Sequence, residues 1–172
     1  AAAAMMRYSI DPGASQVWIK GSSSVHPIHA EANGLQGWFQ ADVEDGRFAG
    51  DELTGHVEIA VALLSSGNDL VDRETRRRID AKRHPLITGD VVAVEAVADD
   101  RADLRGLIGF RGETVEVVGT IGIGSDGERL VVEGAEVLDV RHWGLRPPRL
   151  LVMRVHPEIE VAIRLELTAT GD

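Results

Sequence analysis

The chain has 172 residues, enough for one domain with a substantial core, and its 44% apolar and 27% charged residues are typical of a folded globular protein. Its 28 acidic and 18 basic residues give a net charge of −10, which argues against nucleic acid as a partner because phosphate binding needs a basic surface. The absence of cysteine excludes disulfides, thiol catalysis and zinc–cysteine sites.

The N-terminus begins with the unusual run "AAAAMM". We interpret residues 1–6 as a leader or tag, and residues 7–172 as a single domain. No basic segment followed by an apolar core is visible here, as a secretory signal would require. No apolar run approaches the roughly 20 residues of a transmembrane helix. The cytoplasm is therefore the expected location.

Strict alternation of apolar and polar residues dominates the chain. In "TGHVEIAVALL" the larger apolar residues fall at every second position from Val57 to Leu63, and the run from Ile159 to Leu167 repeats the pattern. A period of two is typical of half-buried antiparallel strands. With the similar runs near 15–26, 37–43, 86–98, 103–110, 114–123 and 128–139, this predicts eight strands. The short turns "RGE" and "SDG" favour hairpins, and the fold is expected to be all-β, a barrel or a sandwich.

The stretch "SSSVHPIHAEANG" at 22–34 offers serines, two histidines and a glutamate. In an extended strand His26 and His29 point to opposite faces, although Pro27 bends the segment. A serine nucleophile needs a sharp turn, an oxyanion hole and an orienting group, none of which is visible here. We favour a strand end at a polar rim over a catalytic or metal site.

One segment, "NDLVDRETRRRIDAKRHP", breaks the alternation and predicts a helix over 69–83. Acids come early and bases late, as the helix dipole favours, and Asp72/Arg76 and Glu74/Arg78 have the spacing of ion pairs. Pro85 ends it. The thin apolar stripe indicates a helix that caps the sheet structure. The segment also carries a basic cluster, Arg73, Arg76, Arg77, Arg78, Lys82 and Arg83. This cluster is interpreted equally well as a solvated helix face or as a binding site for an anionic head group.

Histidine precedes proline three times, at 26–27, 84–85 and 156–157. The simpler interpretation is that these prolines mark strand or helix ends, and the alternative is a polar rim where several ends converge. In "RHWGLRPPRLLVM", Trp143 is either an aromatic plug in the core or part of a mobile flap. The apolar run that follows it needs cover, such as a second subunit.

Several spaced motifs, taken together and in this order, resemble the YceI-like family. They are "YSIDPGASQVWI", "GWF" at 37–39, "SSGNDLVDRETRRRIDAKRHPLITG", "LRGLIGFRGETVEV" and "VLDVRHWGL". The resemblance runs from Tyr8 to about Ala169. It implies an elongated, lipocalin-like, eight-stranded antiparallel barrel with one capping helix. It also implies a long apolar ligand inside the barrel, a polyisoprenoid or a fatty-acid-like lipid, and a homodimer.

The chain departs from the family pattern at two places. It lacks the secretory signal of many members, and it has Arg78-Ile79-Asp80 and Arg83-His84-Pro85 where the family usually has a bulky aromatic residue. Strand parity and the family outline together give the expected ligand-binding residues. Those expected to line the cavity are Trp38, Val61, Leu63, Phe110 and Trp143, and those expected near its mouth are His26, Asn68 and Arg76.

Three functions are compatible with these features. The first is a non-enzymatic binding protein for a long-chain lipid or isoprenoid, with no cofactor. The second is a histidine-based metal or haem protein, or a small barrel enzyme using His26 and His142 as acid and base. The third is a ligand-free dimerising scaffold, which would have no continuous cavity. The first is favoured, because apolar binding needs almost no polar motif.

Overall fold

The computed structural model describes residues 5–25, 27–146, 149–150 and 153–170. It contains the helix α1, Asp69–Ile79, and two short 3₁₀ helices, Val61–Leu63 and Val140–Trp143. The strands are β1 Met6–Ile10, β2 Gln16–Ser22, β3 Pro27–Asn33, β4 Gln36–Glu44, β5 Arg47–Ala60, β6 Leu86–Ala98, β7 Arg101–Phe110, β8 Glu113–Asp126, β9 Arg129–Asp139, β10 Arg149–Leu150, β11 Met153–Arg154 and β12 Glu158–Ala169.

Eight of these strands form a closed antiparallel barrel in the order β1, β4, β5, β6, β7, β8, β9 and β12. The barrel closes because β12 pairs with β9 along one edge and with β1 along the other, where Ser9 lies opposite Thr168. The first half of β12 pairs instead with β2, which carries β3 on its other edge. The predicted eight-stranded barrel with one helix is confirmed.

Tight turns connect consecutive strands of the barrel. Asp45 and Gly46 join β4 to β5, and Arg111 and Gly112 join β7 to β8, all four with positive φ, as a two-residue hairpin turn requires. Gly37 also needs glycine, since its φ is 145° and a Cβ there would lie 1.9 Å from the carbonyl oxygen of His56. These turns place neighbouring strands in antiparallel register.

The inner face of the barrel has a packed half and a hollow half, and β12 runs through both. Its inward residues Leu165 and Leu167 are buried in the core. Ile159, Val161 and Ile163, earlier on the same face, line a cavity instead. The packed half is filled mainly by apolar side chains, among them Tyr8, Ile10, Phe39, Phe48, Leu53, Ala102, Ile123 and Leu130. One end of the barrel is thus solid and the other is hollow.

Four of the described strands were not predicted from the sequence: β1, β3 and the two-residue strands β10 and β11. β1 is short, and β3 lies within the stretch 22–34, where polar residues hide an alternation. Ala32 is buried and Ile28 lines the cavity, while His29 and Glu31 are exposed. The predicted strand 15–26 corresponds to β2, which already ends at Ser22, and the chain then reverses so that β3 pairs with it.

The helix is shorter than the predicted 69–83. It ends at Ile79 because Asp80 adopts the left-handed conformation, with φ 57° and ψ 55°. Of the two predicted ion pairs, Glu74–Arg78 forms at 2.9 Å. Asp72 instead accepts hydrogen bonds from the backbone N and Oγ of Ser66, at 2.8 and 2.6 Å.

On the outer face of the barrel, His56 lies between two carboxylates. Its Nδ1 is 2.6 Å from Asp90 Oδ1 and its Nε2 is 3.0 Å from Glu58 Oε1. Hydrogen bonding to Glu58, then to Asp90, raises the pKa of His56 against the opposing effect of burial. The contact between His56 and Asp90 therefore links β5 to β6, and both carboxylates favour the protonated form of the imidazole.

This raised pKa predicts a pH-dependent contribution to stability. The contribution of His56 is fully present below the unfolded pKa of about 6.5 and is lost as the pH rises through the folded pKa. Urea unfolding of the natural protein and of His56→Gln at about pH 6 and about pH 9 should show a larger loss of stability at high pH in the natural protein. Equal losses in the two proteins would count against the carboxylate–imidazole contacts.

Candidate functional site

The hollow half of the barrel contains a cavity of about 410 Å³. This lies within the range of roughly 300–1,000 Å³ typical of small-molecule sites. Its walls are inward-facing aliphatic side chains of almost every strand, because alternation turns one apolar set inward. Among them are Val17, Ile19, Ile28, Val57, Ile59, Ile87, Leu104, Ile108, Val117, Ile121, Leu138, Ile159, Val161 and Ile163.

Helix α1 covers one side of this cavity. Val71, Thr75 and Ile79 lie on its cavity-facing side, and Ile79 is only 4% exposed. The helix starts at Asn68, whose Oδ1 accepts hydrogen bonds from the backbone N of Leu70 and Val71, at 3.0 and 3.1 Å. This N-cap satisfies helix donors that would otherwise lack partners. Asn68 therefore stabilises the start of the helix that covers the cavity.

Arg76 also lines the cavity. Its neighbours Arg77 and Arg78 are paired with Glu74, at 2.6 and 2.9 Å, and these contacts, Arg77 first, lower the pKa of Glu74 to about 2. Asp72 is engaged by Ser66, and none of the ion pairs among the described residues includes Arg76. A guanidinium outside these ion pairs thus borders a mostly apolar space.

Trp143 closes the cavity at the end of β9. It is 3% exposed, its Nε1 donates to the carbonyl oxygen of Ile108 at 2.9 Å, and its ring meets Phe110 edge-on, with centroids 6.4 Å apart. Arg111 donates to the carbonyl oxygens of Trp143 and Arg78, at 3.2 and 3.1 Å. The tryptophan is therefore a fixed plug rather than part of a mobile flap.

The predicted site residues fall into two groups. Val61, Arg76, Phe110 and Trp143 line the cavity. The other described residues lie elsewhere, and His26 lies outside the described residues. Asn68 caps α1.

Trp38 and Leu63 were expected to line the cavity, and the structure places neither there. Phe39 takes the inward position on β4, so Trp38 points outward and stacks on Arg7, whose guanidinium carbon is 4.4 Å from the ring centroid. Leu63 is 48% exposed because β5 ends at Ala60 and the chain turns into a 3₁₀ helix. Strand parity does not continue through that turn.

Several polar residues of the cavity wall were not predicted as site residues, among them Asp72, Arg78, Glu136 and His156. Glu136 could have been found, since it occupies an inward position of β9 between Gly134 and Leu138. His156 follows β11, which the alternation does not predict, and its Nδ1 is 2.8 Å from Ser22 Oγ. Within the described ranges, no cluster of three or more histidine and carboxylate side chains has the geometry to hold a metal ion.

Comparison with known proteins gives matches at the level of structure. No protein-family model and no curated protein matches the sequence. BcnA of Burkholderia cenocepacia has a TM-score of 0.76 at 14% identity, over 91% of this chain and 98% of its own. A polyisoprenoid binding domain from Saccharophagus degradans, implicated in plant cell wall breakdown, has a TM-score of 0.70 at 15% identity, over 96% and 99%.

A YceI protein of Campylobacter jejuni also matches, with a TM-score of 0.66 at 14% identity, over 83% of this chain and 85% of its own. At these identities the likeness is one of fold. It confirms the YceI-like barrel predicted from the sequence motifs. Separately, none of the described helices has the length and apolar character needed to cross a bilayer.

The N-cap of α1 gives a direct test of how the helix that covers the cavity is stabilised. Asn68→Ala removes the acceptor for two backbone donors and should lower the free energy of unfolding by about 1 kcal/mol. Asn68→Ser keeps a capping oxygen and should recover most of that loss. Urea unfolding curves of the three proteins measure the difference. An alanine variant as stable as the natural protein would show that the cap contributes nothing.

Proposed function

We propose that the protein is a non-enzymatic binding protein that holds one long apolar chain, of the polyisoprenoid or fatty-acid type, inside the barrel. The observation that carries the proposal is the cavity of about 410 Å³, whose walls are formed mostly by aliphatic side chains of the strands. A void of this size lined by apolar groups favours an apolar ligand, because burial removes that ligand from water. The likeness in fold to the polyisoprenoid binding domain of Saccharophagus degradans supports the same class.

The size of the cavity limits what it can bury. If a methylene takes about 30 Å³, the share of one water molecule in the liquid, the cavity holds at least about 14 carbon atoms. Each buried methylene contributes about 0.8 kcal/mol, so this many contribute about 11 kcal/mol before the ordering costs of binding are subtracted. That gross energy is enough for binding without any catalytic or polar motif.

The polar end of the ligand is proposed to lie at Arg76. Its guanidinium borders the cavity, and Glu74 and Asp72, the nearest acids of α1, are engaged by other residues. Arginine binds carboxylates and phosphates through charge-assisted hydrogen bonds. An anionic head group would therefore be selected over a neutral one of the same chain length.

The alternative functions receive less support. A ligand-free scaffold was expected to lack a continuous cavity, and the hollow half of the barrel counts against it. A histidine-based metal site was expected to bring ligands together, and the described part of the chain has no group of three or more histidine and carboxylate side chains that could hold a metal ion. The homodimer stays a prediction, which sedimentation at several protein concentrations would test.

Filling the cavity should abolish the proposed activity. Ala30 lines the wall from β3, and Ala30→Phe would occupy space needed by several carbon atoms. Binding of tetradecanoic acid, measured by calorimetry, should weaken about tenfold or more. Ala96→Phe, at an exposed position of β6, is the matched control and should leave the affinity unchanged. If the two variants bind equally well, the ligand does not occupy this cavity.

Neutralising Arg76 should separate head-group recognition from chain binding. Arg76→Gln should weaken tetradecanoic acid about tenfold or more, the effect of one charge-assisted hydrogen bond, and should leave tetradecanol nearly unaffected. Arg73→Gln is the control, since Arg73 lies exposed on the same helix and does not border the cavity. Equal losses for acid and alcohol would contradict a head-group role for Arg76.

A further inference from the structure

The barrel wall is incomplete between β8 and β9. The hydrogen-bonded ladder of these strands runs from Asp126 and Arg129 to the pair Ile121 and Gly134, and there it ends. β8 nevertheless extends back to Glu113, where β7 pairs with it, and β9 extends forward to Asp139, where β12 pairs with it. The two strands therefore diverge in the hollow half of the barrel.

This divergence leaves a side window with defined ends. At one end is the last ladder pair, Ile121 and Gly134. At the other end the chain after β9 returns to β7, where Trp143 Nε1 bonds the carbonyl oxygen of Ile108. The window is thus bordered by residues 114–120 of β8 and 135–139 of β9, about 20 Å of strand at roughly 3.3 Å per residue.

The cavity reaches the outer surface through this window. Val118 pairs with Arg105 and points to the outer face, and it is 65% exposed, yet it also lines the cavity. Across the window Val137 points outward from β9 and is 68% exposed. Two exposed apolar side chains thus flank the opening, one on each strand.

The carboxylate of Glu136 spans the window beside the last ladder pair, Ile121 and Gly134. Glu136 lies opposite Val161, whose side chain lines the cavity, so Glu136 points inward as well. Its Oε1 accepts a hydrogen bond at 3.0 Å from the backbone N of Thr120, a position past the end of the ladder. The carboxylate therefore takes the place of a strand partner, and it would repel an anionic head group.

The volume of the cavity and the position of the window together point to a path for the ligand. The cavity holds at least about 14 carbon atoms, and a long isoprenoid can contain several times as many. Resting on the proposed function, we propose that the distal part of a longer chain leaves the barrel through the β8–β9 window, between Val118 and Val137. The charged groups agree with this direction, because Arg76 attracts an anionic head at the helix and Glu136 disfavours it at the window.

The position of Gly119 allows the window to be blocked. It pairs with Leu104, a cavity residue, and a Cβ at Gly119 would lie 3.0 Å from Glu136 Oε1, the movable end of a side chain. Gly119→Leu should therefore fill the opening. Gly124→Leu is the control on the same strand, since a Cβ at Gly124 meets no atom within 4 Å.

The experiment compares geraniol with geranylgeraniol, which is twice as long, by calorimetry on the natural protein and both variants. Gly119→Leu should weaken the binding of geranylgeraniol about tenfold and that of geraniol much less, and Gly124→Leu should change neither.

A second readout does not depend on the folding of Gly119→Leu. Because the chain has no cysteine, Val118→Cys takes a single environment-sensitive fluorophore, as does Val92→Cys on β6 for comparison. Geranylgeraniol alone should change the emission, and only at position 118.

Each outcome is decisive. Selective loss of the longer alcohol, or a fluorescence response confined to position 118, supports the window. Binding of both alcohols with equal losses in Gly119→Leu and no response at 118 overturns the window and leaves the proposed function standing. Failure of the natural protein to bind tetradecanoic acid and either alcohol overturns the proposed function, and the window with it.

Discussion

Strand β12 pairs with β9 along one edge and with β1 and β2 along the other, and the cavity depends on this double pairing. It closes the sheet into a barrel, so that one face of each barrel strand turns inward. The space inside the barrel is then either packed with side chains or left as a cavity. The same strand shows both outcomes: Leu167 is fully buried in the core, and Ile159 borders open space. The solid half stabilises the barrel, and the hollow half is left for a ligand.

Polar groups around the hollow half are arranged so that the interior stays apolar. Glu74 holds Arg77 and Arg78, Asp72 holds Ser66, and Arg111 satisfies backbone carbonyls of the helix and of Trp143. Each contact satisfies a group that would be costly to leave unpaired near a dry space. Arg76 borders the cavity outside these contacts, and under the proposed function it would supply the charge that recognises the head group.

Much of the fold could be predicted from the sequence, since alternation persists through β5, β8, β9 and β12. The errors occur where another rule replaces it. The 3₁₀ turn after Ala60 moves Leu63 outward, and a parity choice on β4 moves Trp38 outward in favour of Phe39. The alternation of apolar and polar residues does not reveal where β8 and β9 diverge, because both strands continue to alternate beyond the point where their pairing ends.

The central claim is that the barrel carries a long apolar chain, and native mass spectrometry tests it most directly. The protein would be purified from its native organism without detergent, and the same sample would be extracted with organic solvent. The account predicts a discrete added mass that extracts as a long-chain lipid or isoprenoid. A mass equal to that of the bare chain, with nothing extracted, would contradict it.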